Sequence, residues 1–120
     1  MTTTLSTVIG RIMSFGALAP NWDSFGARAV DPDCAAAAIA FLTHRVGTYT
    51  PLPTAVPTSA GTVQLEWRCN GFEIEIEFTS LFQLRFSFSD VRDRLESGTH
   101  LDTFWLMPFI ELLSEHNGDV

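Results

Sequence analysis

Residues 63–78 read VQLEWRCNGFEIEIEF, and their pattern sets the architecture. Val63, Leu65, Trp67 and Cys69 alternate with Gln64, Glu66 and Arg68, while Phe72, Ile74, Ile76 and Phe78 alternate with Glu73, Glu75 and Glu77. A period of two belongs to a strand with one buried face, because successive side chains leave opposite sides of the pleat. Between the two runs stands Asn70-Gly71, which suits a two-residue type I′ turn whose central positions both need positive φ. A turn there pairs Cys69 with Phe72, Trp67 with Ile74, Leu65 with Ile76 and Val63 with Phe78. Apolar meets apolar at every step. A slip of one residue would send each apolar side chain to the wrong face, so the register is determined.

Toward the C-terminus, Phe82, Leu84, Phe86 and Phe88 alternate with Gln83, Arg85 and Ser87. This predicts a third strand, joined through Thr79-Ser80-Leu81, with Phe78 opposite Phe82 and Ile74 opposite Phe86. Such a meander has one greasy and one polar face, and helices must cover the greasy one. Ser89 or Asp90 can then cap a short turn through residues 91–97, ended by Gly98. Residues 99–113, THLDTFWLMPFIELL, admit two readings. One is a helix capped by Asp102 and kinked at Pro108. The other is a fourth edge strand near 101–106, followed by a helix over 108–115 with Pro108 in its first turn.

Toward the N-terminus lies GTYTPLPTAVPTSAG, residues 47–61, with Pro51, Pro53 and Pro57. Prolines at this density predict an extended connection without helix or ladder, pinned by Tyr49, Leu52 and Val56. Before it comes a well-marked helix. Asp31 is its N-cap, Pro32 takes the first position, and Asp33 sits at the positive end. The Ala35–Ala38 run, Ile39, Phe41, Leu42 and Val46 follow, and Gly47 stops it. Thr3 or Thr4 caps an earlier helix carrying Leu5, Val8, Ile9, Ile12 and Met13 on one face, bounded by Gly16 and Pro20. The expectation is a single α+β domain over 1–120. It comprises a helical part (1–47), a proline-rich connection (48–61), an antiparallel sheet of three strands or four (62–88), and a C-terminal helical part (89–120).

Composition narrows the function classes. A chain of 120 residues with 46% hydrophobic and 12% aromatic content has the makings of one folded core. No apolar run approaches the roughly 18 residues a membrane span needs. The first twenty residues have no basic stretch ahead of their apolar part, so a cytoplasmic protein is expected. All seven basic residues are arginines. Residues 1–60 balance three acids against three arginines, whereas residues 61–120 hold eleven acids against four, the whole of the net charge of −7. Phosphate-backbone binding needs a basic patch, so nucleic acid is not an expected partner. An acidic half either meets a basic protein surface or simply keeps the domain soluble.

Candidate sites are few. On the polar sheet face Arg68 opposes Glu73, and Glu66 opposes Glu75, a like-charge pair that costs stability. Arg85 on the third strand is placed to compensate from beside Glu75. The face Glu66, Glu73, Glu75, Glu77 and Arg85 is thus either a solvated surface or a recognition surface for a basic partner. In Asn21-Trp22-Asp23-Ser24-Phe25-Gly26-Ala27, Asn21 and Asp23 can turn back on the backbone, Trp22 and Phe25 can anchor the loop, and Gly26 suits positive φ. That loop is either an aromatic-pinned connector or a ligand site built on Trp22, Asp23 and Ser24. Cys34 and Cys69 fall short of a zinc site and read as buried free thiols. His44, His100 and His116 are scattered. There is no HExxH, nucleophile elbow or glycine-rich phosphate loop, and no metal or cofactor is expected.

The run NWDSFGA, a proline-rich segment, VQLEW and FEIEIEF together resemble a group of small bacterial proteins sharing an NWDx[YF]GA…LEW…EIEI pattern, over residues 21–78. The group has no assigned activity, so the resemblance transfers no catalytic residue. It implies a bacterial or phage cytoplasmic origin and a shared core for Trp22 and Trp67. The functional expectation is a non-enzymatic protein-binding module of inhibitor, immunity or antitoxin type, acting through the acidic face. Homodimerisation through an exposed edge strand is a further option. The alternative is a ligand-binding domain or unfamiliar enzyme with its site at the NWD loop.

Overall fold

A computed structural model describes residues 4–46, 50–69, 71–90 and 95–100. Helix α1 spans Leu5–Ser14 and runs into a 3-10 turn at Phe15–Ala17; α2 spans Pro32–Arg45. Five strands follow: β1 Thr54–Pro57, β2 Val63–Cys69, β3 Phe72–Phe78, β4 Leu84–Asp90 and β5 Leu95–His100. They form one antiparallel sheet in chain order, so the class is α+β. The stop at Gly47, the pin at Tyr49, the turn residue Asn70 and everything read for residues 101–120 lie outside the described residues.

The helices begin where local chemistry dictates. Thr4 Oγ1 accepts from the Thr7 amide at 3.1 Å, and Asp31 Oδ1 accepts from the Asp33 amide at 2.8 Å. Each satisfies an amide that the helix itself leaves without a partner. Asp33 in the first turn of α2 and His44 and Arg45 in its last oppose the helix dipole with the correct signs. On the inner face, Ala37 and Ala38 bring the backbone of α2 close to the sheet, and Cys34, Phe41 and Leu42 complete the buried stripe. Phe41 stands edge-on to Trp67, centroids 6.3 Å apart, and tilted against Phe78 at 5.8 Å. Helix α1 adds Val8 and Ile12, and Phe15 follows.

The β2–β3 register is the one the alternation requires, from Val63 opposite Phe78 to Cys69 opposite Phe72. Gly71 has φ of +81°, as a primed hairpin turn demands. The β3–β4 register differs from expectation by two residues: Phe78 faces Leu84, Ile76 faces Phe86 and Ile74 faces Phe88. The cause is the connection. The amides of Thr79 and Ser80 both donate to the Gln83 carbonyl, at 3.0 and 3.3 Å, which closes a five-residue loop and delays the strand to Leu84. Phe82 is therefore a loop residue, 74% exposed, not the first residue of a strand. A shift of two preserves the faces while changing every partner.

Two strands flank the expected meander. The proline-rich segment does enter a ladder: β1 pairs Thr54 with Glu66 and Pro57 with Val63. Proline is tolerated because β1 is an edge strand. The Ala55 carbonyl accepts from Arg11 Nε at 2.7 Å, so it points away from β2. Two residues on, the Pro57 nitrogen faces the same outward side, where no ladder bond is lost. On the other side, Leu95–His100 pairs with β4 where a turn through residue 97 ended by Gly98 was expected. Ser97, Gly98 and Thr99 are poor helix formers, and the free edge of β4 offers them a backbone partner.

Three further bonds fix the periphery. Trp67 Nε1 donates to the Pro51 carbonyl at 2.8 Å, which ties down the proline-rich segment. The amides of Arg28 and Asp31 donate to the Ser59 and Gly61 carbonyls at 2.9 and 2.8 Å. These bonds stitch the β1–β2 turn to the segment leading into α2. Trp22, by contrast, is half-buried outside the core cluster and does not share a core with Trp67.

Gly61 sits at φ +85°, and a Cβ there would lie 2.8 Å from the Ala29 carbonyl oxygen. Gly61→Ala combines a left-handed backbone with a backbone clash, and should cost about 2–4 kcal/mol in urea denaturation. The Cys34 thiol, buried among apolar side chains with Asp31, Asp33 and Glu77 nearby, is pushed up to about 11 from 9.0. An unfolded chain loses this proton near 9 while the folded one keeps it, so stability should fall as pH rises from 9 to 11. With no lysine, one tyrosine and two cysteines, few other groups titrate in that window. Urea midpoints should therefore decline across it for the wild type, with most of the slope removed in Cys34→Ala.

Candidate functional site

One face of the sheet is occupied by α1 and α2. The other carries Gln64, Glu66 and Arg68 from β2, Glu73, Glu75 and Glu77 from β3, and Arg85 and Ser87 from β4. Arg68, Glu73, Arg85 and Ser87 are exposed, and Glu66, Glu75 and Glu77 are partly so. The strand period alone produces this segregation: the positions between the core residues must point away from the core.

Among the described residues, four carboxylates share this face with two guanidinium groups. Glu66 stands directly opposite Glu75. Compensation comes from a different arginine than the alternation suggested. Arg85 lies opposite Glu77 instead of Glu75, because of the two-residue shift in β4, and its Nε is 3.9 Å from Glu77 Oε1. Arg68, although opposite Glu73, reaches diagonally to Glu75, Nη2 to Oε1 3.9 Å. Both ion pairs are at the limit of the range and their arginines are well exposed, which makes them weak. Glu77 also accepts from Thr62 Oγ1 at 2.7 Å, and Glu66 from Gln64 Nε2 at 2.9 Å. Among the described residues, no cation lies within ion-pair distance of Glu66 or Glu73. Beside Glu66 and Arg68, a hollow of 250 Å³ opens against Pro51, Leu52 and Thr54.

The NWD loop is built differently. Asp23 Oδ1 accepts from the amides of Phe25 and Ala27 at 2.8 and 3.1 Å, and Asn21 Oδ1 accepts from Gly26 at 2.7 Å. Trp22 Nε1 donates to the Arg28 carbonyl at 3.0 Å. Asn21, Ser24 and Gly26 all hold positive φ, the geometry in which short polar side chains and glycine fold a tight loop. The polar groups of Asn21, Trp22 and Asp23 thus serve the loop's own backbone. Phe25, expected as an anchor, is 91% exposed.

A second concavity escaped the sequence reading. A cleft of 520 Å³ lies between α2 and the β3–β4 connection, with Phe41, Phe78 and Leu84 as its floor. His44, Arg45 and Phe82 reach its rim. Its signal was hidden because Phe82 continues the strand alternation, so the loop that forms one wall reads as ladder.

Among the described residues, no group of three or more His, Cys, Asp or Glu side chains is arranged to hold a metal ion. No described helix is long and apolar enough to cross a membrane. Comparison with protein-family models, curated proteins and solved structures gave no match.

The opposed carboxylates predict a measurable stability change. Removing one charge from the Glu66–Glu75 pair while keeping Arg68 beside Glu75 relieves repulsion. Glu66→Gln should therefore raise stability by about 0.2–1 kcal/mol in chemical denaturation. A loss of stability would show that the pair is not repulsive in the folded chain.

Proposed function

We propose that this chain is a small, acidic, non-enzymatic module that binds a basic protein surface through the open face of its sheet. It would act in the manner of an inhibitor, immunity or antitoxin-like component of bacterial or phage origin. The observation that carries the reading is the direct opposition of Glu66 and Glu75 on a face that no described helix covers. Placed there, two like charges cost folding stability, and a partner's guanidinium or ammonium group between them would offset that cost. Natural surfaces that trade stability in this way are commonly binding surfaces.

The surroundings fit such a partner. Glu66 and Glu73 have no cation of their own among the described residues, and the long Arg68 and Arg85 pairs leave Glu75 and Glu77 weakly neutralised. The hollow beside Glu66 and Arg68 gives an incoming basic side chain somewhere to lie. A charged face of this kind steers encounter and selects partners more than it adds raw affinity. A cytoplasmic setting accords with the free, buried Cys34. Self-association through β1 has less in its favour. On β1 the Ala55 carbonyl is already taken by Arg11, and Pro57 carries no N–H.

The test is charge reversal at the exposed positions. Glu73→Lys with Glu75→Lys should leave the thermal transition of the chain nearly unchanged. It should reduce recovery of any specific partner, captured from native cells at low salt, by tenfold or more. Equal recovery by wild type and variant would remove this face as the binding surface, and a wild-type chain that retains no specific partner would count against the whole reading.

A further inference from the structure

The cleft between α2 and the β3–β4 connection is distinct from the acidic face and differs from it in chemistry. Its floor is apolar: Phe41, Phe78 and Leu84 are each almost fully buried, and Ala37 and Ala40 form the helical wall. At 520 Å³ it falls within the roughly 300–1,000 Å³ typical of small-molecule sites. Its polar lining residues are His44 and Arg45 in the last turn of α2 and Ser80 and Gln83 of the connection.

The charge at this cleft runs against that of the chain. Acids outnumber bases fourteen to seven overall, yet among the described residues no carboxylate lines the cleft. Among the described residues Arg45 has no carboxylate within ion-pair distance, and both His44 and Arg45 are exposed at the rim. Complementing the α2 dipole accounts for basic residues at a helix C-terminus. It does not account for the apolar hollow beside them. Nor does it account for Leu81 and Phe82 of the lining connection, which are 43% and 74% exposed.

We propose that this cleft binds a small amphipathic carboxylate, with its apolar body against Phe41, Phe78 and Phe82 and its anionic head at Arg45 and His44. An apolar body would displace water from the floor, and Arg45 would supply a charge-assisted hydrogen bond to the carboxylate. The site has no need of the acidic sheet face, and the two readings stand or fall separately.

Octanoate and octanol, titrated into the full chain and followed by calorimetry and amide NMR shifts, separate the head from the body. Octanoate should bind saturably at one site, with shifts concentrated at Ala37, Ala40, Leu81 and Gln83, and octanol several-fold more weakly. Arg45→Gln should weaken octanoate about fivefold to tenfold, as expected for one partly exposed charge-assisted contact, and leave octanol unchanged. Ala40→Phe, at an exposed position on the wall, should abolish binding of both without lowering stability. Glu73→Lys with Glu75→Lys should leave octanoate binding intact. The proposal is overturned by an absence of saturable binding, by shifts that map elsewhere, or by equal loss of octanoate and octanol in Arg45→Gln. Nuclear Overhauser contacts from residues 101–120 into the cleft of the ligand-free chain would overturn it as well, since the chain would then be its own occupant.

Discussion

Phe41 is a side chain through which the helical layer engages both β2 and β3. Its ring meets the edge of Trp67 on β2 and leans on Phe78 on β3, so the position of α2 is keyed to the β2–β3 register. The consequences spread outward. With the indole ring buried, its N–H needs an acceptor, and the Pro51 carbonyl provides one. That bond anchors the chain just before β1, which can then join the edge of the sheet. Helix α1 packs over β1, and Arg11 takes the outward Ala55 carbonyl. Truncating a buried aromatic of this kind typically costs about 3–5 kcal/mol, a large share of the roughly 5–15 kcal/mol by which domains are stable.

The apolar face bears the packing, so the polar face is free to carry charge. Acidic residues occupy every outward position of β3, and one of them stands against an acidic residue of β2. The two arginines present are spread thinly, each at 3.9 Å from a single carboxylate oxygen. Exposed pairs of that length contribute little, and what remains is a negative surface on an otherwise well-satisfied fold.

The NWD loop and the α2 cleft illustrate opposite relations between polar groups and structure. In the loop, carboxylate, amide and indole groups are spent on nearby backbone partners, and positive φ values are held at Asn21, Ser24 and Gly26 to make those bonds possible. In the cleft, an arginine and a histidine face an apolar hollow with no carboxylate among its described lining residues. A polar residue already committed to its own loop has little left to offer a ligand. One at the mouth of an apolar cavity has both reach and a hydrophobic neighbour.

Much of this could be read from the residues in order. The period of two across Val63–Phe78, the Asn70-Gly71 dipeptide and the Asp31-Pro32-Asp33 helix start are local signals. They determine the β2–β3 register, the start of α2 and the opposition of Glu66 to Glu75. Alternation also assigned Leu84, Phe86 and Phe88 to the buried face, but it could not choose between registers two residues apart, because both keep the same parity. That choice fell to the Gln83 carbonyl and the loop it closes, and with it went the partner of Arg85 and the position of Phe82. The proline-rich segment became a strand only because it lies at an edge, and edge or centre is a property of the assembled sheet. The α2 cleft likewise exists only where residues 37–45 and 78–84 meet. Sequence alone determined which face of β2, β3 and β4 is apolar and where the acids sit. Tertiary structure decided which side chains meet across strands and layers, because such contacts depend on loop closure and neighbours that no local period encodes.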